Sequence, residues 1–426
     1  MATVIKAGNV ASGAQVTPDA TGILQFNTGS GAGTAAMTLG TDQSVAFAGN
    51  LTVDGNTTLG NANTDTILMT AAPSIGGAGL GMGFGFRNRI INGAMVIDQR
   101  NAGASLNPAD FAYSLDRWKC RRSQASKFTV QQNAGSVTPP AGFSNYLGVT
   151  SSSAYSVLAA DYFVIQQLIE GFNFADFAYG TANAATLTLS FWVRSSLTGT
   201  FGGALQNNAE NRSYGFTYTI SAANTWEQKT ITIVGDTSGT WIGATNGNGL
   251  YVNFNLGTGS TYGAATNGAW ASGTTAFAPS GTVSVVGTNA ATWYITGVQL
   301  EKGSTATSFD FRDYGTELVR CQRYYEKSYD QGTTPGTVSS LGMFTSIRAN
   351  GIAGTSMTFK VTKRAAPLMT AYSPGTGTAG NGRDYNVGAE RAVTFDSIGD
   401  SAFTISMGGA SVSSAFGTQW VASIEL

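Results

Sequence analysis

The 426-residue chain contains no histidine. That absence excludes Ser-His-Asp and Cys-His catalysis and nearly every metal site built on imidazole. Cysteine is almost as scarce. Cys120 and Cys321 are far apart in sequence and make neither a disulfide framework nor a zinc spacing. Two free thiols, in a protein assembled in a reducing cytoplasm, are the expectation. Charged residues make up only 11% of the chain, against about 25% in an ordinary globular domain. The formal net charge is −1, and the one basic cluster, Lys119, Arg121 and Arg122, is short. No nucleic-acid partner held by phosphate neutralisation is expected. No apolar run reaches the ~18 residues of a membrane helix, so no membrane insertion is expected. The first residues, MATVIKAGNV, lack the basic and apolar regions of a signal peptide.

What remains is apolar, glycine-rich and turn-rich. Hydrophobic residues make up 42% of the chain, enough for a core, and glycine supplies 56 of 426 positions, near twice the usual ~7%. Such a composition suits extended β structure with many turns. An all-β fold is expected, in four parts.

Residues 1–86 carry short apolar pairs, Leu24/Phe26, Met37/Leu39, Val45/Phe47 and Leu51/Val53, between Gly, Asn, Thr and Asp turns. Such strands are too short and sparse to bury a core alone. Three copies wound about one axis would bury the pairs and close the open edges. An interwound trimeric attachment shaft is therefore expected, leaving through the Gly-rich linker SIGGAGLGMGFG. Residues 87–312 show repeated period-two alternation: Leu187/Leu189/Phe191/Val193, Tyr214/Phe216/Tyr218/Ile220, Ile231/Ile233, Leu250/Val252/Phe254/Leu256 and Val283/Val285. They predict an antiparallel jelly-roll-type β-sandwich of eight to ten strands, with Tyr162–Glu170 as a further strand. Residues 313–327 carry the one helical pattern, Leu318, Cys321, Gln322 and Tyr325, with Asp313 as cap. Residues 328–426 predict a small C-terminal β tip domain, with strands at Phe359/Val361, Val393/Phe395, Phe403/Ile405 and Trp420/Val421, a loop over 373–383 and a terminal strand WVASIEL.

Ordered motifs carry a family resemblance. RNRIINGAMVIDQR, LDRW, LSFWVRSS, NTWEQKTITIVGDTSGTW, GLYVNFNLGTGSTY and WYITGVQLEKGSTATSFDFR resemble the sandwich module at the end of many bacteriophage tail fibre and minor tail proteins. The CQRYY segment of the helical stretch and the block that follows it resemble the tip of the same proteins. AGNLTVDGNTTLGNANTDT resembles shaft segments of phage fibres. The sandwich module is similar to carbohydrate-binding modules of polysaccharide-degrading enzymes. The resemblance implies a homotrimeric receptor-binding protein of the virion tail, assembled in the host cytoplasm. Its N-terminal region would dock on other virion proteins and its sandwich would adsorb to host-surface polysaccharide.

Two kinds of residue bear on the chemistry. Paired carboxylates are the only catalytic apparatus the composition allows, and Asp98, Asp110, Asp116, Asp161, Glu170, Glu210, Asp310 and Glu317 are the candidates. Asp116–Arg117 reads better as a local ion pair with a stacked arginine. No enzyme activity and no cofactor are expected, and no oxygen-rich loop has a calcium motif. Aromatic residues on loops are the stronger signal, because a flat ring covers the apolar face of a sugar. Trp241, Tyr262 and Trp270 lie in turn-rich loops beside Asn246, Asn248 and Asn267. Of these, Trp241, Asn246, Asn248, Tyr262 and Trp270 are the expected carbohydrate-binding set. Trp118, Trp192, Trp226 and Trp293 are expected in the core or on sheet faces. A purely structural fibre or tail-tip protein, and a short polysaccharide depolymerase, are the alternative functions.

Overall fold

The computed structural model describes residues 24–27, 35–39, 45–47, 74–75, 78–79, 87–273, 275–347, 355–408 and 415–426. The chain divides into two compact units, Met1–Pro73 and Ser74–Leu426. In the first, β1 (Leu24–Asn27), β2 (Ala35–Leu39) and β3 (Val45–Phe47) form an antiparallel meander. Met37 pairs with Phe26 on one side and Phe47 on the other. Val45 and Phe47 keep 50% and 43% of their surface exposed. The interwound shaft expected around this meander lies outside the described residues. In the second unit, β4 (Ser74–Ile75) and β5 (Ala78–Gly79) pair as a minimal hairpin.

The sandwich follows, antiparallel throughout. Its seven-stranded sheet runs, in spatial order, β16 (Trp270–Ser272), β13 (Arg212–Ile220), β12 (Gly199–Gln206), β15 (Asn248–Thr258), β10 (Tyr162–Glu170), β7 (Trp118–Arg122) and β6 (Tyr113–Leu115). Its five-stranded sheet runs β14 (Glu227–Ile233), β11 (Leu187–Ser195), β17 (Thr292–Lys302), β9 (Leu147–Ser151) and β8 (Phe128–Gln132). The alternating residues of the sequence meet between the sheets. Leu187, Leu189, Phe191 and Val193 share one core with Phe216, Tyr218, Val252 and Phe254. Trp118 and Trp293 are fully buried there. Their indole N–H groups donate to the Asn92 carbonyl (3.0 Å) and the Tyr218 hydroxyl (3.1 Å), so neither burial leaves an orphaned donor.

Two glycines mark where the sheets require a bare backbone. Gly297 sits in β17 at φ 60°, where the register against β11 slips between Ser190 and Trp192. A left-handed residue at a bulge is glycine's role. At Gly203 a Cβ would stand 2.0 Å from the Asn253 carbonyl.

Some expectations need correcting. Val283 and Val285 lie in no strand. Val283 N–H instead donates to Thr200 and Val286 N–H to Leu256, which seats Val285 in the core as an irregular segment. Trp192 and Trp226 take the sheet-face positions that were one of the two expected: both are partly exposed, Trp192 within β11 and Trp226 just before β14, where it donates to the Thr138 carbonyl at 2.9 Å. Asp116 and Arg117 do not pair with each other, as the junction below explains.

The single helix among the described residues, α1 (Tyr314–Gln322), starts where its cap was expected. Asp313 accepts from the Thr316 N–H at 2.9 Å. It ends at Gln322, short of Tyr325, which instead opens β18 (Tyr325–Lys327). The cause is a pair of guanidiniums on the sandwich, one buried and one partly exposed. Arg117 lies 3.6 Å over the Tyr324 ring and Arg100 lies 3.7 Å over Tyr325. Tyr324 lies in the turn that ends the helix and Tyr325 opens the strand, so each ring meets its own arginine.

The tip domain is built on β25 (Ala415–Ser423). It pairs with β18, β19 (Phe344–Ile347), β21 (Leu368–Tyr372) and β22 (Asn381–Asp384). β23 (Ala389–Asp396), β24 (Ala402–Met407) and β20 (Thr355–Thr358) extend the sheet beyond β22. The stretch expected as a loop over 373–383 thus ends in a strand, and Phe359 follows β20 rather than lying in it. Phe359, Phe403, Ile405, Trp420 and Ala422 make the tip core.

Sandwich and tip meet through ion pairs. Glu425 accepts from Arg117 and, at 2.5 Å, from Arg100. Arg117 also donates to the Leu168 carbonyl at 2.5 Å. Asp116 accepts instead from the Gln99 backbone and side-chain amides, both at 2.7 Å. Glu170 holds Arg323 through both its oxygens and accepts from the Tyr324 hydroxyl. Tyr113 hydroxyl and Lys119 Nζ both donate to the Leu426 oxygen.

Candidate functional site

The loop-rich end of the sandwich gathers two of the five expected residues. Trp241 and Trp270 meet edge to face, ring centroids 5.5 Å apart. Both are partly exposed and rest on the core. Beneath them lie Tyr179, 4.9 Å from Trp241 and 5.7 Å from Trp270, and Phe174, 5.6 Å from Trp241. Each indole N–H donates to a backbone carbonyl, Trp241 to Ser238 (3.2 Å) and Trp270 to Val234 (2.8 Å). The rings are thus pinned, and their outer faces are the chemistry they have left.

An arginine–carboxylate fork fixes the loops that carry them. Arg212 at the start of β13 grips Asp236 through Nε (2.9 Å) and a terminal nitrogen (2.5 Å), and reaches the Ser272 hydroxyl at 2.7 Å. Asp236 is 2% exposed. Its hydrogen bonds hold the Arg212 guanidinium above its ordinary pKa. Close packing continues to the indole. A Cβ on Gly239 would meet Arg212, and one on Gly180 would stand 3.0 Å from Trp241. Tyr179 hydroxyl is buried beside this pair with no hydrogen-bond partner, and burial with the Asp236 charge pushes its pKa up. Tyr179, Arg212 and Asp236 went unnoticed in the sequence. The only signal was Asp236 opening the turn GDTSGTW, five residues before Trp241.

The other three expected residues go elsewhere. Tyr262 packs on Tyr162 (5.1 Å) and Phe277 (5.5 Å). On either side of β16, Ala265 and Ala276 pack on Ala204 of the seven-stranded sheet. Asn246 is spoken for by the tip: its amide donates to the Arg364 carbonyl at 2.7 Å and its backbone oxygen accepts from the Arg364 guanidinium at 3.0 Å. Asn248 opens β15 and is 6% exposed. Its amide makes no hydrogen bond of normal geometry.

The outer face of the large sheet carries a ribbon of amides. Gln166 donates to Asn253 (2.7 Å), which donates to Gln206 (2.9 Å), and all three are fully buried. Gln166 Oε1 and Gln206 Nε2 at the two ends have no partner.

The candidate carboxylates are all engaged. Asp98 accepts from the amides of Asn101 and Gly103, and Asp161 from Tyr155, Ser123 and Leu158. Asp110 and Glu210 flank Arg121 at 3.5 and 3.9 Å, and Asp310 and Glu317 flank Arg312 at 3.9 and 3.1 Å. Two carboxylates around one arginine form a structural knot rather than an acid/base couple. Burial raises Asp116 to about 6, the direction a general acid needs, but Gln99 occupies both its oxygens. Among the described residues, no group of three or more Cys, Asp or Glu side chains is placed to hold a metal.

No protein family and no curated protein matches the sequence. Several solved structures overlap about half the chain. The enzymatically active domain of bacteriophage CBA120 tailspike protein 4 overlaps 51% of it at 12% identity, with a TM-score of 0.29, and the chain spans 21% of that protein. A sugar-binding protein of Bacteroides thetaiotaomicron, described as putative, overlaps 51% at 12% identity over its whole length, with a TM-score of 0.30. A family 11 carbohydrate-binding module of a Clostridium thermocellum cellulase overlaps 48% at 13% identity over 98% of its length, with a TM-score of 0.24. Similarity at this level assigns the chain to no family.

Proposed function

We propose that the chain is a phage tail fibre protein that recognises host-surface glycan as a homotrimer, with Trp241 and Trp270 as the sugar platform. The observation that carries the reading is the pinned indole pair. Both N–H groups are satisfied within the protein, so the rings are held in place before a ligand arrives and binding orders little. A sugar stacked on one of them gains about 2 kcal/mol from area. One site is therefore weak, stacking alone corresponding to a Kd of roughly tens of millimolar. Copies on a trimer, and several trimers on a particle, raise avidity by about 10²–10⁴. The motif series of residues 88–312 supports the same reading, and the exposed apolar side chains of β3 are compatible with cover by other copies.

In this reading the N-terminal region docks on other virion proteins of the tail. The rival reading is a structural fibre whose sandwich is a spacer, favoured by the same internal satisfaction of the indoles. Adsorption of the purified protein to host cells or polysaccharide separates the two. Retained adsorption in the Trp241→Ala/Trp270→Ala double variant overturns the platform. A monomer mass in light scattering overturns the trimer. Release of reducing ends from host polysaccharide would replace both readings with a depolymerase.

A further inference from the structure

The outer face of the five-stranded sheet carries a cluster that none of the chemistry above uses. Phe191 and Val193 of β11 fill the core, so Trp192 and Arg194 point to the other face. Gln228 of the edge strand β14 stands directly opposite Trp192, and opposite residues of an antiparallel pair share a face. Trp226, two residues before Gln228, lies on that face too.

These side chains are held in place. A Cβ on Gly297 would stand 3.1 Å from the Trp192 ring, so the indole lies on bare backbone. Arg194 Nε donates to the Asn224 carbonyl at 2.9 Å, and its guanidinium stands 5.5 Å from the Tyr294 ring centroid. Tyr294 packs on Tyr146 at 5.1 Å, and Tyr146 on Trp226 at 5.5 Å.

Their remaining polar capacity faces solvent. Of the chain's seven tryptophans, five donate the indole N–H to a protein oxygen, and Trp420 is buried. Trp192 is the seventh. It is partly exposed, and its N–H is neither bonded nor buried. Gln228 is exposed, and its amide has no partner among the described residues. Arg194 is partly exposed, and among the described residues no carboxylate pairs with it. Glu227, opposite Val193, faces the other way and holds Lys229 at 2.6 Å. The face therefore keeps one uncompensated positive charge beside two partly exposed indoles. A neutral sugar would leave that charge unmet, and a small anion would leave the rings unused. A sugar bearing a carboxylate meets both.

We propose that this face is a second saccharide site, taking an acidic sugar. The inference rests on the glycan-recognition reading but uses none of the Trp241–Trp270 platform. The carboxylate takes the terminal nitrogens of Arg194, the apolar face of a ring lies on an indole, and hydroxyls meet the Trp192 N–H and Gln228.

The test is a saturation-transfer NMR titration of the full chain with hexuronate and sialate oligosaccharides, each beside its neutral methyl ester. The natural chain should bind at least one acid about tenfold more tightly than its ester, the value of a charge-assisted hydrogen bond, and added salt should narrow the gap. Arg194→Gln should abolish the preference. Trp192→Ala should weaken acid and ester alike, because the ring reads shape and not charge. Gln228→Ala should weaken the acid about fivefold. If Arg194→Gln does not fold, Gln228→Ala, an exposed side chain on an edge strand, decides alone. The preference should survive in Trp241→Ala/Trp270→Ala. Its loss there overturns the proposal and leaves the loop platform standing. No acid preference in the natural chain, or one indifferent to Arg194→Gln and Gln228→Ala, overturns it as well.

Discussion

Replacing Glu425 by alanine is expected to cost about 3–5 kcal/mol of folding stability. The magnitude follows from what the carboxylate leaves behind. Its side chain is 7% exposed, and its partners Arg117 and Arg100 are 1% and 14% exposed. Without Glu425, Arg117 remains buried and charged, with one carbonyl contact at Leu168 and the Tyr324 ring beneath it. Removing one partner of a buried ion pair strands the other, whereas removing both does not. Arg117→Met with Glu425→Ala leaves only the less buried Arg100 unpaired, so it should recover part of the loss, with a coupling energy of at least ~2 kcal/mol. Urea denaturation of the four proteins of this cycle measures it. Trp118 and Trp293 report on the sandwich and Trp420 on the tip, so coincident transitions would also show that the two unfold together. A cost below about 1 kcal/mol for Glu425→Ala, or additive single effects, would refute the argument and reduce the clasp to an ordinary surface ion pair.

Other outcomes follow from single contacts. Asp313→Ala removes the helix cap and should cost about 1 kcal/mol in the same denaturation assay. Gly203→Ala places a methyl against the Asn253 carbonyl and should cost at least the ~3 kcal/mol upper end of overpacking, read as a fall in Tm. Burial raises Asp116 from 3.8 to about 6, so the folded chain holds that proton more tightly than the unfolded one. The stability it contributes is complete below the unfolded value and is lost as pH rises through about 6, by up to ~3 kcal/mol. Denaturation at stepped pH should show that loss, and Asp116→Asn should flatten it. Cys120 is fully buried with its thiol pushed up to about 12, so a thiol reagent should label it only after denaturation.

The legible parts of this fold are those where one residue's neighbours in space are two or four positions away in sequence. Period-two alternation located β11, β13 and β15, and a single Asp located the start of α1. Segments whose shape depends on distant partners were not legible. Val285 reaches the core through bonds to β12 and β15, which no local pattern announces. Tyr325 leaves the helical register because arginines more than 200 residues upstream take the rings of Tyr324 and Tyr325. The same limit applies to the loop end of the sandwich. Trp241 and Trp270 were visible as loop aromatics, but the Arg212–Asp236 fork that steadies them joins a strand edge to a turn. Asn246 looked free because its partner, Arg364, belongs to the tip.

The clasp at Glu425 also sets an order of events during synthesis. Arg100, Tyr113, Arg117 and Lys119 emerge early, yet the groups that neutralise or bond them are Glu425 and Leu426. Until those residues leave the ribosome, one end of a nascent sandwich presents unpaired guanidiniums and a bare polar rim. Contacts of such long sequence separation are slow to form and leave partly folded chains open to misassembly. Chains truncated before Glu425 should therefore be protease-sensitive around residues 98–119, and chains that include Glu425 and Leu426 resistant there.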